Sequence, residues 1–266
     1  MSEPSAKPAI RYEAADFIAA ITLDRPERRN ALTYQAYDEL EAAFHRASED
    51  ASVRCVILTG ADPGFCSGDD MREIMNAPKS FADLQEGKTP MPNAAALAVL
   101  HCAKPVIAAV NGAAIGWGMD LALFADMRIA SERASFSEMF VRRGLVSDLG
   151  AFYCLPRLVG HAKAAELMFT GDLVDAAEAL RIGLVSEVTP HAELLPRARA
   201  LAARIAANPP LAVTALKAGL RRNAGKDAYD IGAWATGEIR RLMRTSDHKE
   251  SVAAYLEKRE PRFRGE

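Results

Sequence analysis

Residues 104–123 read KPVIAAVNGAAIGWGMDLAL, and the order of residue types in this stretch decides the class of fold. Residues 105–110 form a short, almost wholly apolar run, as expected of a strand buried on both faces of a parallel sheet. Residues 111–117 are punctuated by glycine and lead into an apolar helix over 118–124. The rhythm recurs on both sides. Residues 53–58 (VRCVIL), 127–130 and 184–188 read as further buried strands, and 16–23 (DFIAAITL) as another, followed by the turn-rich 24–30. Thr33 caps a helix predicted to run to about residue 50, with Leu40, Phe44 and Ala47 on one face. A helix including Met71, Ile74 and Met75 follows the loop 59–68, residues 76–92 read as a polar loop, and a helix runs on to about 103. Strands alternating with helices at this spacing predict an α/β architecture with mostly parallel pairing. From about residue 191 the pattern is helical only, over 192–207, 209–222, 227–244 and 249–258.

The chain has 266 residues, 50% hydrophobic and 26% charged, a composition that excludes a disordered or fibrous protein. Thirty-three basic residues against 35 acidic ones give a net charge of -2, which leaves no electrostatic footprint for nucleic acid. Cys55, Cys66, Cys102 and Cys154 have no paired spacing, so neither a disulfide framework nor a metal site is expected. The polar N-terminal stretch lacks a signal-peptide pattern, and no run approaches the ~20 apolar residues of a membrane helix. The expected compartment is the cytoplasm, with no membrane partner.

Chemistry concentrates in three stretches: 60–72 (GADPGFCSGDDMR), 108–120 (AAVNGAAIGWGMD) and 136–150 (FSEMFVRRGLVSDLG). The first two are glycine-rich strand-to-helix turns, which present backbone N–H groups where negative charge can be stabilised. A dinucleotide fingerprint fails, because the third glycine of GxGxxG would fall on Leu121. There is no phosphate-binding P-loop and no GxSxG nucleophile elbow.

In these motifs the chain resembles the crotonase superfamily, the enoyl-CoA hydratases and isomerases. The likeness runs from LDRPERRNALT at 23–33, through GFCSGDD at 64–70, 104–123, LPRLVG at 155–160 and TGDLVDAAEALRIGLVSEV at 170–188, to LEKREPRF at 256–263. It implies an α/β, crotonase-like spiral of repeated β-β-α units over 1–195 with the active site. A C-terminal helical oligomerisation region over 196–266 would build a homotrimer or a dimer of trimers. It implies an acyl-CoA thioester substrate and no separate cofactor, CoA being part of the substrate. The oxyanion hole would be the backbone N–H groups of Asp69 and Trp117, worth ~10²–10³ in rate each. Arg25, Gly68, Asp70, Met71, Arg72, Gly116 and Phe140 would line the CoA and acyl site, with Arg28 and Arg29 as further phosphate contacts and the basic tail 258–264 reaching a neighbouring subunit's CoA.

The acid–base residues set the reaction. Asp120 falls on the position of one of the two hydratase glutamates, and Phe140 falls on the other, so that carboxylate is missing. Asp148 occupies a position where related isomerases and an aryl-CoA dehalogenase carry a functional aspartate. One carboxylate suffices for interconverting the 2-ene and the 3-ene, because it takes and returns the same proton between C2 and C4. The pattern therefore favours isomerisation over hydration of a 2-enoyl-CoA by Asp120 and Asp148 together. The alternatives are hydrolytic dehalogenation with Asp148 as nucleophile, and a non-catalytic CoA-ester-binding homologue.

Overall fold

The computed structural model describes residues 7–75, 86, 93–147, 149–208, 210–222, 240, 243–244 and 246–259. The strands are β1 (Ile10–Ala15), β2 (Ile18–Leu23), β3 (Cys55–Gly60), β4 (Val106–Val110), β5 (Ala113–Ile115), β6 (Met127–Ser131), β7 (Ser135–Ser137), β8 (Val174–Asp175) and β9 (Glu187–Thr189). The helices are α1 (Tyr34–Glu49), α2 (Ala94–His101), α3 (Trp117–Phe124), α4 (Leu155–Val159), α5 (His161–Thr170), α6 (Ala176–Arg181), α7 (Leu194–Ala206), α8 (Pro210–Arg222) and α9 (Ser246–Glu257).

Six strands form the main sheet in the order β1-β2-β3-β4-β6-β9, and β5-β7-β8 form a small second sheet. From β2 to β9 every pair in the main sheet is parallel, and only β1 runs antiparallel at the edge. The continuous apolar runs follow from burial on both faces. Val56, Leu58, Val106, Ala108 and Ala130 face the main core with α1, α2 and α3, while Ile57, Ile107, Ala109 and Ile129 face α7. That helix meets them with Leu194, Ala198 and Ala202, one every fourth residue and so along one stripe.

The strand expected over 16–23 is shorter and has a partner that the apolar pattern does not reveal. Asp16 and Phe17 have φ of 51° and 64° and make the two-residue turn of the β1–β2 hairpin, with Ala15 opposite Ile18. β1 is exposed along most of its length, so its sequence carries no alternation. The helix predicted from Thr33 is α1, and the Thr33 hydroxyl accepts from Ala36 N at 3.2 Å. The last strand is shorter than 184–188, because residues 184–186 form a turn before β9. The residues expected to form a helix around Met71 form a single wide turn, Met71–Met75. Residues 76–92 apart from Glu86, nearly all of 227–244, and the tail beyond 259 lie outside the described residues.

The expected boundary at 195/196 falls inside α7, which covers one face of the main sheet. α8 is also tied to the α/β part. Lys217 and Arg221 pair with Asp126 at 2.7 and 2.9 Å, and Lys217 donates to the Lys104 carbonyl. Among the described residues no helix is long and apolar enough to cross a membrane.

Candidate active site

The first glycine-rich turn is held in place from below by Asn30. Its amide donates to the carbonyls of Ala61 and Gly64 at 2.8 Å each, and its oxygen accepts from Arg25 N at 2.9 Å. The backbone there is left-handed, φ 55°, a conformation asparagine adopts more readily than most residues.

The second turn packs onto the first, backbone against backbone. Phe65 N and Cys66 N donate to the Ala113 carbonyl, and Ile115 N donates to the Cys66 carbonyl at 2.9 Å. A side chain on Gly118 would bring its Cβ within 2.1 Å of the Cys66 carbonyl oxygen, and one on Gly112 within 2.5 Å of the Pro63 oxygen. Only glycine permits this approach.

At the meeting point Gly68 (φ 85°) sits beside Trp117, its Cβ direction passing 3.4 Å from the Trp117 nitrogen. The Gly68 carbonyl and the Asp70 N–H both bond Leu32, at 2.9 and 2.7 Å. By the alternation of an extended backbone, the Asp69 amide faces the other way. Gly116 (φ 53°, ψ -122°) starts α3, its N–H bonded to the Ser137 carbonyl and its own carbonyl accepting from Met119 and Asp120. Trp117 is the first residue of the helix, so its N–H has no intrahelical acceptor.

These two turns line a cavity of about 680 Å³, large enough for much of an extended ligand. Gly68, Asp69, Asp70, Met71, Arg72, Gly116, Trp117 and Phe140 all contribute to its wall. Phe140 lies over the second turn, its ring carbons 3.7–3.8 Å from the Cβ direction of Gly116. Arg28, Arg29, Arg143 and Lys258 also reach the cavity, as does Glu27. Asp70 accepts from the N–H groups of Arg72 and Glu73 and so fixes the turn that follows.

Two expected residues stand away from this wall. Arg25 donates to the Ala31 carbonyl at 2.5 Å and lies 3.4 Å from the Asp70 carboxylate, so it braces the loop behind the cavity. Asp120 is fully buried within α3. Its carboxylate abuts the backbone of Gly150, where a Cβ would come within 2.2 Å of Oδ1, and it is not part of the cavity wall. Asp148 lies outside the described residues.

Three features in or beside the site were not singled out from the sequence. Helix α9 forms part of the wall through His248, Val252, Tyr255 and Leu256. It is anchored by Arg143, whose guanidinium lies 4.8 Å from the Tyr255 ring centre and whose carbonyl contacts His248 Nδ1 at 3.0 Å. Tyr37 of α1 reaches both oxyanion candidates, its hydroxyl bonded to the Asp69 carboxylate and its ring edge-on to Trp117. Glu138 is buried immediately before the Met139–Arg143 turn, accepting from the Ser147 hydroxyl at 3.1 Å. Burial pushes its carboxyl up to about 8. A glutamate between Ser137 and Met139 has no periodicity to betray it, whereas a tyrosine on a half-buried helix face reads simply as core.

Fold and cavity together define an α/β protein with a cavity built around two glycine-rich backbone turns. Residues 13–266 match the family described as enoyl-CoA hydratase/isomerase. A protein of Rhodobacter capsulatus named as a probable enoyl-CoA hydratase is 41% identical over 96% of this chain and 98% of its own. The crystal structure of an enoyl-CoA hydratase from Mycobacterium avium subsp. paratuberculosis superposes with a TM-score of 0.85 at 26% identity, over 96% of this chain and 98% of that one. A monofunctional enoyl-CoA isomerase from M. smegmatis is 36% identical, with a TM-score of 0.70 over 85% of this chain and 99% of its own. The chain belongs to the enoyl-CoA hydratase/isomerase family of the crotonase superfamily and has the crotonase fold. It is accordingly an enzyme of that family, for which an acyl-CoA is the implied substrate.

Proposed function

We propose that the enzyme binds an enoyl-CoA thioester with its carbonyl oxygen between the Asp69 and Trp117 amides, and that Asp148 removes and returns a proton. The observation that carries this reading is the close approach of the turns at Gly68 and Trp117 on the wall of the cavity. Abstraction of a C2 proton from a 3-enoyl thioester pushes electrons onto the carbonyl oxygen. Two oriented N–H donors stabilise the resulting dienolate without reorganising. Return of the proton to C4 gives the 2-enoyl thioester, so one carboxylate serves both steps. The arginines at the rim supply the planar donors that CoA phosphates require.

Isomerisation is supported by one residue of the wall and one behind it. Phe140 puts a phenyl ring where a second carboxylate would be needed, and Asp120 is buried against Gly150. Hydration is the second reading, favoured by the prevalence of hydratase names among the relatives. Incubating the enzyme in heavy water with short, long, branched and aryl 2-enoyl- and 3-enoyl-CoAs separates the two by mass spectrometry. Interconversion of 2-ene and 3-ene, or deuterium uptake without added water, is expected. Gain of a whole water establishes hydration instead. Asp148→Asn is expected to lower turnover at least ~10²-fold; unchanged turnover removes Asp148 from its role.

A further inference from the structure

Asp69 poses an electrostatic problem for the proposed reaction. Its backbone amide is offered to a developing oxyanion, while its own side chain carries a negative charge on the same residue. A carboxylate free to swing toward that oxygen would oppose the charge the amides are there to stabilise, and more strongly in a cavity than in water. The structure contains a device that answers this. The Tyr37 hydroxyl donates to Asp69 Oδ1. The ring of the same tyrosine meets Trp117 edge-on, with centroids 4.8 Å apart and planes at 85°. Trp117 in turn rests edge-on against Phe124 at 6.0 Å. Tyr37 projects from α1, a sixteen-residue helix whose Leu40 and Phe44 are fully buried, so it is mounted on a rigid element.

We propose that Tyr37 is a positioning residue for the oxyanion site. It tethers the Asp69 carboxylate away from the substrate oxygen and at the same time fixes the Trp117 turn. The inference rests on the oxyanion reading of the Asp69 and Trp117 amides. One side chain thus sets the relation between two turns that are separated by about fifty residues of sequence. It predicts a particular dependence: the harm done by losing the tyrosine hydroxyl comes from the charge of Asp69, and neutralising that charge repairs it.

The test uses Tyr37→Phe, which keeps the ring against Trp117 and removes only the hydroxyl, alone and combined with Asp69→Asn. Tyr37→Phe is expected to lower kcat on the substrate found by the heavy-water panel by about 10-fold or more, with KM within about 3-fold of wild type. The double variant is expected to recover at least about 5-fold of that loss, which a purely structural role for Tyr37 would not produce. The second readout is the absorption of bound cinnamoyl-CoA, which moves to the red when its carbonyl is polarised. The red shift is expected in wild type, smaller in Tyr37→Phe and restored in the double variant. A kcat for Tyr37→Phe within about 2-fold of wild type, or no recovery in the double variant, overturns the inference. A wild-type shift that Tyr37→Phe leaves unchanged overturns the inference while leaving the oxyanion reading intact. No shift in the wild type takes down both. If Tyr37→Phe does not fold, Asp69→Asn alone decides: a red shift at least as large as wild type's supports the tether, and a smaller one refutes it.

Discussion

Glu138 is a carboxylate held in a fully buried environment. With its carboxyl pushed up from 4.5 to about 8 by burial, the folded chain holds a proton there that the unfolded chain releases above about pH 4.5. The folded state therefore binds more protons between those values, and stability falls as pH rises through that window. Below it both states are protonated and the contribution is fully present; above about 8 the loss is complete. Glu138→Gln keeps a group able to accept from Ser147 and removes the titration. We expect urea midpoints of wild type to fall across the window, and those of Glu138→Gln to fall less. Equal slopes for the two proteins refute the assignment. The same site shows what a sequence read residue by residue could find. Gly68, Asp69, Gly116, Trp117 and Phe140 were legible because glycine-rich turns announce themselves and the family pattern fixes their register. Tyr37 and Glu138 were not, since each matters through a partner far along the chain, Asp69 at thirty-two residues and Ser147 at nine. Asp120 was legible as a residue inside an apolar helix, but helix periodicity cannot say that Gly150 presses on it.

At the scale of elements, the buried parallel strands were readable because burial on both faces writes an uninterrupted apolar run. β1 escaped because its side chains are largely solvated, and β5, β7 and β8 because two or three residues are too few to show a period. What joins the elements at the site is glycine. Gly118 lies at the start of α3 with the Cys66 carbonyl where a Cβ would be. Since that obstacle is backbone, it can give way only by separating the two turns. Gly118→Ala is expected to cost about 1–3 kcal/mol or more of stability and to abolish most turnover. The mutant is to be compared with wild type by thermal unfolding and by kcat/KM. A variant of normal stability and activity would mean that the turns are free to part, contrary to the packing described.

For the whole molecule, the helical region is the part whose role remains a proposal. Leu216 and Leu220 lie one turn apart on α8 and are 68% and 77% exposed. We take them as part of a surface between copies of this chain. Leu220→Glu is expected to shift the wild-type oligomer toward monomer in sedimentation velocity, by burying a charge at the contact. A wild type that is already monomeric, or an unchanged mass for the variant, disproves it. The wall formed by α9 has a separate consequence. A ligand that spans the cavity would meet α9 as well as the turns at Gly68 and Trp117. Ligand affinity and the docking of α9 are therefore reciprocally linked, each strengthened by the same free energy. For a ligand that spans the cavity, α9 is in effect a second ligand of the site, one that is covalently attached and always at high local concentration.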